Sequence, residues 1–268
     1  MLEYSLQKKI VVTNIDGGAT TVGAKDVLSS PADGYKVVVN GTDLFVPKML
    51  GTSEISLDSF KTVGISLIDN TTVIAVRKDA GYKNLKDLIE KSKTAAKPIE
   101  YGMKIGATNQ IFGVAMNKDW GAKVKPVDVG NNAAKMVALL AKQTDVINVN
   151  YSVAESYFKT GEFVPLALLG SEKNATLPKV PLASEEGLKD LDYSKFFWLG
   201  MHPDTSDDIA NIFSEALKKA CSDPEFIKKM EDRYLTVKYM NPKEAHDFAD
   251  KFYKAQMLPY LDAFKAAQ

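Results

Sequence analysis

The residues best suited to chemistry lie in one stretch, YGMKIGATNQIF, running from Tyr101 to Phe112. Tyr101 closes a short β-like run, Gly102 to Gly106 form a glycine-rich loop, and Ala107 to Phe112 have the composition of a helix opening. Backbone N–H groups at a helix start have no intrahelical partner, and the positive end of the helix dipole adds to them. The stretch therefore predicts an anion site. Thr108 and Asn109 would set short donor and acceptor side chains at its mouth, Lys104 would add a mobile positive charge, and Gly102 and Gly106 would let a ligand approach the backbone closely. The same residues also describe an ordinary β-loop-α turn with a Thr or Asn cap.

Other chemistry finds little support. The single cysteine, Cys221, excludes an internal disulfide and a cysteine metal cluster, and with no histidine near it in sequence it reads as a small buried helix residue. His202 and His246 stand in unrelated contexts without metal-ligand spacing, so no metal is expected. No nucleophile elbow, P-loop or complete dinucleotide fingerprint is present; Asp16-Gly17-Gly18 begins like a phosphate turn, but Ala19 to Gly23 do not complete it. No cofactor and no catalysis are expected. The 34 Lys and Arg residues balance the 34 Asp and Glu, and Lys dominates the cations, which argues against a nucleic-acid partner. No run reaches the roughly 18 apolar residues of a membrane span, and the opening MLEYSLQKKIVVTN has no secretory pattern.

The elements that must position the stretch alternate between β and α. Lys9 to Thr13 and Tyr35 to Val39 read as strands around a helix through Val22 and Val27, which predicts a βαβ unit with a parallel pair. Phe60 to Leu67 and Thr71 to Val76 are two further strands, followed by a helix through Leu85, Leu88 and Ile89. Beyond the central stretch come a strand at Val124 to Val129, a helix at Ala133 to Lys142, a strand at Asp145 to Asn150, a helix at Ser152 to Lys159 and a strand at Val164 to Leu169. A loop fills Ser171 to Asp190. Phe196 to Met201 is a strand, Asp204 to Ser222 a long helix, Pro224 to Met230 a second helix, Leu235 to Tyr239 a strand and Pro242 to Lys265 a last helix. Such alternation predicts an α/β protein with largely parallel sheets covered by helices.

Several segments in this order carry a family likeness: KIVVTNIDGGATTVGAKDV with ADGYKVVVNGT, FKTVGISLIDNTTVIAVRKD, YGMKIGATNQ, LPKVPLASEEGL with FFWLGM, and ALKKACSDPEF. Together they cover nearly the whole chain from about Leu6. In them the sequence resembles the solute-binding proteins of tripartite tricarboxylate transporters, often called Bug proteins. The resemblance implies a two-domain, periplasmic-binding-protein-like clamshell, with residues 1–75 and 196–268 in one domain and 76–195 in the other. It implies a small carboxylate-bearing solute, an organic acid or amino-acid-like ligand, held in the cleft largely by backbone N–H groups and hydroxyls of loops entering helices. By similarity Gly41, Thr42 and Asp43 would edge the cleft from the first domain, and Gly130, Asn131, Asn148 and Asn150 from the second, beside Lys104, Gly106, Ala107, Thr108 and Asn109. A monomer that closes by a hinge, free in the periplasm or lipid-anchored outside the cytoplasm, would deliver the solute to membrane transporter subunits.

The chain also departs from the family. The export signal, first strand and Pro-Gly-Gly type loop that open its members do not precede KIVVT, so a late-started chain is expected rather than a cytoplasmic protein. Strands next to that missing one would then be left with unpaired backbone. Asn148-Val149-Asn150 replaces a Phe-Asp-Asn, removing a carboxylate, and Lys104 adds a charge that would favour a second ligand carboxylate. The alternative is the ligand-sensing part of a regulator with the same clamshell, which would need an output element that these residues do not provide.

Overall fold

In chain order the computed structural model contains α1 (Leu2–Leu6), α2 (Thr21–Leu28), β1 (Val38–Asn40), α3 (Val46–Met49), β2 (Lys61–Asp69), β3 (Thr72–Arg77), α4 (Leu85–Thr94), β4 (Ile99–Met103) and α5 (Thr108–Trp120). There follow β5 (Val124–Asp128), α6 (Asn132–Leu140), β6 (Val146–Asn150), α7 (Tyr151–Thr160), β7 (Phe163–Leu168), β8 (Lys195–Met201), α8 (Asp207–Cys221), α9 (Pro224–Glu231), β9 (Thr236–Met240), α10 (Pro242–Phe252) and α11 (Leu261–Ala266). Residues 2–189 and 191–266 are described; Met1, Asp190 at the end of the expected loop, Ala267 and Gln268 lie outside the described residues. No helix among the described residues is long and apolar enough to cross a membrane.

The chain divides into two compact units, Met1–Ile68 with Lys195–Pro259, and Asp69–Ser194 with Tyr260–Gln268. The first holds a four-stranded sheet in the order β1-β8-β2-β9, with β1 antiparallel to β8 and β2 antiparallel to β9. Its core gathers Val63, Leu199, Met201, Leu217 and Cys221, and the indole of buried Trp198 donates to Thr62 Oγ1 at 3.2 Å. The second holds a five-stranded sheet in the order β5-β4-β6-β3-β7. Here Phe112 of α5 meets Tyr101, Trp120 and Tyr193 edge-on, with ring centroids 5.9, 5.6 and 5.2 Å away. Burying that one ring contributes about 1.5–3 kcal/mol, which anchors α5 to β4.

Strand directions differ from the expected largely parallel sheets. In the second sheet β4 runs parallel to β5 and to β6, while β3 runs antiparallel to both β6 and β7; in the first, β1 is antiparallel to β8 and β2 to β9. α5 and α6 supply the crossovers that the parallel pairs of β4 with β5 and with β6 require. The expected N-terminal βαβ unit is likewise not formed. Residues 9–17 carry no helix or strand, with Val11 86% and Val12 83% exposed, and the strand expected at Tyr35 to Val39 shrinks to Val38–Asn40. Apolar β-branched residues specify a strand only where a neighbour offers hydrogen bonds, and among the described residues none pairs with Lys9 to Thr13. The last expected helix is interrupted by a π-helical turn at Tyr253–Met257 and a 3-10 turn at Leu258–Tyr260, where Pro259 has no N–H to donate.

Local signals explain the other elements. Asn84, Asn131, Ser206, Asp223 and Asn241 cap α4, α6, α8, α9 and α10 with their side chains. Gly121 and Gly161 end α5 and α7 in the left-handed conformation that glycine adopts without strain. Arg77 fastens the C-terminal end of α6, its Nη1 donating to the carbonyls of Leu139 at 3.0 Å and Thr144 at 2.9 Å.

Candidate functional site

Because β4, β5 and β6 run parallel and each leads directly into a helix, α5, α6 and α7 all begin at the same edge of the second unit's sheet. The α5 connection leaves β4 toward β5, while α6 carries the chain back across to β6 on the other side of β4. Ligands of open α/β sheets bind outside the carboxyl ends of the strands at such a reversal. Three helix N-termini there add their positive dipole ends and first-turn N–H groups.

The loops at this edge are braced by side chains. Asn109 Oδ1 accepts from Lys104 N at 3.2 Å, and Gln110 Oε1 from Gly106 N at 2.9 Å, so the first turn of α5 folds back onto its own loop. Asp128 Oδ1 accepts from both Ile105 N and Gly130 N, each at 3.3 Å, and so joins the loop before α5 to the loop before α6. Gly106 sits at φ +72°, a conformation that side-chain-bearing residues rarely adopt. Ala107, the residue before α5, offers no capping side chain, and Asn150 before α7 turns its amide elsewhere. Asn131 instead spends its side chain on Ala134 N, at 3.1 Å, as the cap of α6.

Behind the loops lies a buried polar network. Asn150 Nδ2 donates to Asp69 Oδ2 at 2.6 Å, while its Oδ1 accepts from Asn132 Nδ2 at 3.3 Å. Asp69 Oδ1 is taken up by the backbone N–H and hydroxyl of Thr71, at 3.0 and 2.5 Å. Asn148 Oδ1 accepts from the Tyr101 hydroxyl at 2.8 Å and from Lys135 Nζ at 3.1 Å, and Lys135 also donates to the Asn148 carbonyl at 2.5 Å. The Tyr101 hydroxyl lies 3.0 Å from the Asn109 carbonyl as well, in the first turn of α5. Burial pushes the Tyr101 phenol well above its ordinary pKa, so it stays a neutral donor.

The structure thus brings Lys104, Gly106, Ala107, Thr108, Asn109, Gly130, Asn131, Asn148 and Asn150 to one edge of one sheet. Lys104 is exposed there and Thr108 is buried. Gly41, Thr42 and Asp43 belong to the first unit, where they follow β1 and open a 3-10 turn, Thr42–Phe45. A Cβ on Gly41 would stand 2.7 Å from the Phe196 carbonyl oxygen, so that position demands glycine. Sequence reasoning missed Asp69, Asn132 and Lys135. Lys135 left a trace: in AKMVALL it occupies a position on the face of α6 that is otherwise apolar, with Met136, Ala138 and Leu139 as its buried companions.

The edge offers amides, hydroxyls and N–H groups, which suit binding an anion by hydrogen bonds. The chain's one thiol, Cys221, is buried in the first unit with its pKa raised by burial to about 11, so it stays protonated at neutral pH. His246 meets Asp58 at 2.9 Å in an exposed pair. Among the described residues no three His, Cys, Asp or Glu side chains are grouped to hold a metal ion.

Known proteins share this architecture. A protein of Agrobacterium vitis, described as a UPF0065 protein in the TAR-I ttuE-ttuC' intergenic region, is 26% identical over 231 residues, or 85% of this chain and 66% of that protein. The chain therefore spans just under two thirds of that relative's length. A Rhodopseudomonas palustris protein solved with adipate superposes with a TM-score of 0.79 at 17% identity, covering 99% of this chain and 89% of that one. MatC of the same organism, solved with bound malate, gives 0.77 at 16% identity, covering 99% of this chain and 90% of that one. At such identities these likenesses concern the fold alone, two α/β units. The family described as tripartite tricarboxylate transporter family receptor matches residues 2–258, and the chain belongs to that family.

Proposed function

We propose that the protein is a periplasmic solute receptor that captures a small carboxylate-bearing solute and hands it to a tripartite tricarboxylate-type membrane transporter, acting as a monomer and doing no chemistry. The observation that carries this reading is the convergence of α5, α6 and α7 N-termini on one sheet edge, with Ala107 and Asn150 supplying no side-chain cap to α5 and α7. Malate and adipate, named with similar structures, are both carboxylates and agree with an anion site built from amides and N–H groups. On this reading Gly106 to Asn109 hold one ligand carboxylate and Lys104 draws a second.

A thermal melt against C4 to C6 dicarboxylates, tricarboxylates and acidic amino acids tests the reading. An acid present at 100 times its Kd adds about 2.7 kcal/mol and raises the midpoint by several degrees. A melt that no acid in the panel moves would refute it.

A further inference from the structure

Asn148 lies in β6 with only 7% of its surface exposed, yet its two side-chain atoms have opposite fates. Oδ1 is claimed twice, by the Tyr101 hydroxyl and by Lys135 Nζ. Nδ2 donates to no acceptor among the described residues, although the side chain is buried. The orientation is forced. A Lys ammonium only donates, so the atom 3.1 Å from it must be the amide oxygen, and the amino group must point the other way. Lys135 is itself 1% exposed and is held in place by the Asn148 carbonyl. The amide is thereby pinned beside the first turn of α5, through Tyr101, and at the opening of α6, through Lys135.

We propose that Lys135 is a positioning residue of the anion site: by donating to Asn148 Oδ1 it turns the Asn148 amide so that Nδ2 is presented to a ligand carboxylate oxygen. This rests on the carboxylate-receptor reading above. It specifies what the ligand must offer at this point, an oxygen that can accept a hydrogen bond. A ligand ammonium placed there would face donor against donor.

The test uses Asn148→Asp and Lys135→Met beside the wild type, with malate and adipate as probes. Melting without ligand reads folding, and calorimetric titration reads affinity. In Asn148→Asp the carboxylate still accepts from Tyr101 and Lys135, so the midpoint stays at or above that of the wild type while the donor becomes an anion. Binding is expected to weaken at least tenfold, about 1.4 kcal/mol. In Lys135→Met the amide is free to turn, and the weakening is severalfold. The Asn148 side-chain amide signal in a nitrogen-15 spectrum, assigned by its loss in Asn148→Asp, shifts on adding the probe to wild type but not to Lys135→Met. A purely structural lysine would leave that shift intact in the folded variant. Wild-type binding with affinity in Asn148→Asp unchanged within twofold, or an undiminished amide shift in Lys135→Met, overturns the positioning role alone. A wild type that binds neither probe, and whose melt no acid of the panel moves, overturns it together with the receptor reading.

Discussion

At the scale of single residues the site depends on backbone freedom at Gly106 and on a few side chains whose polarity is fixed by buried neighbours. Gly106→Val combined with Thr108→Ala places a β-branched residue at φ +72° and removes a hydroxyl from the first turn of α5. The expected result is at least fivefold weaker carboxylate binding, roughly 1 kcal/mol, measured by titration; a change within twofold would remove the helix mouth from the site. Buried phenols set a second residue-scale expectation. Burial holds Tyr101 and Tyr193 well above their ordinary pKa and raises Tyr260 too, the last with help from its hydrogen bond to Asp119. Above pH 10 or so the unfolded chain loses these protons while the folded one keeps them. Their contribution to stability is therefore complete below that pH and is lost as pH rises past it, which melts between pH 8 and 11 will register. Tyr101→Phe removes part of that slope. It also leaves the Asn148 and Asn109 oxygens one donor short, at a cost of about 1–2 kcal/mol at neutral pH.

At the scale of elements, what matters is how each helix start is satisfied. Asn131 gives its side chain to Ala134 N, so Asn131→Ala is expected to lower stability by about 1 kcal/mol through the loss of the α6 cap, read as a lower melting midpoint. The start of α5 was legible in the sequence because GATN carries its own local chemistry: a glycine for the left-handed turn and short polar residues for the mouth. The caps at Asn84 and Asp223 are equally local. Asp69 with Asn150 was not legible, since 81 residues separate them and neither side chain announces a partner. Lys135 with Asn148 was hidden in the same way, apart from a cation set among apolar neighbours. Lys9 to Thr13 was misread for a complementary reason. The pattern IVV describes a residue set that suits a strand, while a strand forms only where another strand supplies hydrogen bonds.

At the scale of the molecule, the alternation of α and β segments and the order of family-like segments were enough to anticipate two α/β units, because both signals are spread along the whole chain. Strand direction was not, since it depends on where crossovers fall and on which strands end up as neighbours: β3 lies antiparallel between β6 and β7, which composition does not announce. The central claim is that the edge where α5, α6 and α7 begin selects a carboxylate. Calorimetric titration of the whole chain with malate and adipate, each compared with its uncharged diamide, tests it most directly. The account predicts saturable one-to-one binding of at least one acid, with the matching diamide weaker by tenfold or more. Equal affinity for acid and diamide, or no binding of either acid, would contradict it.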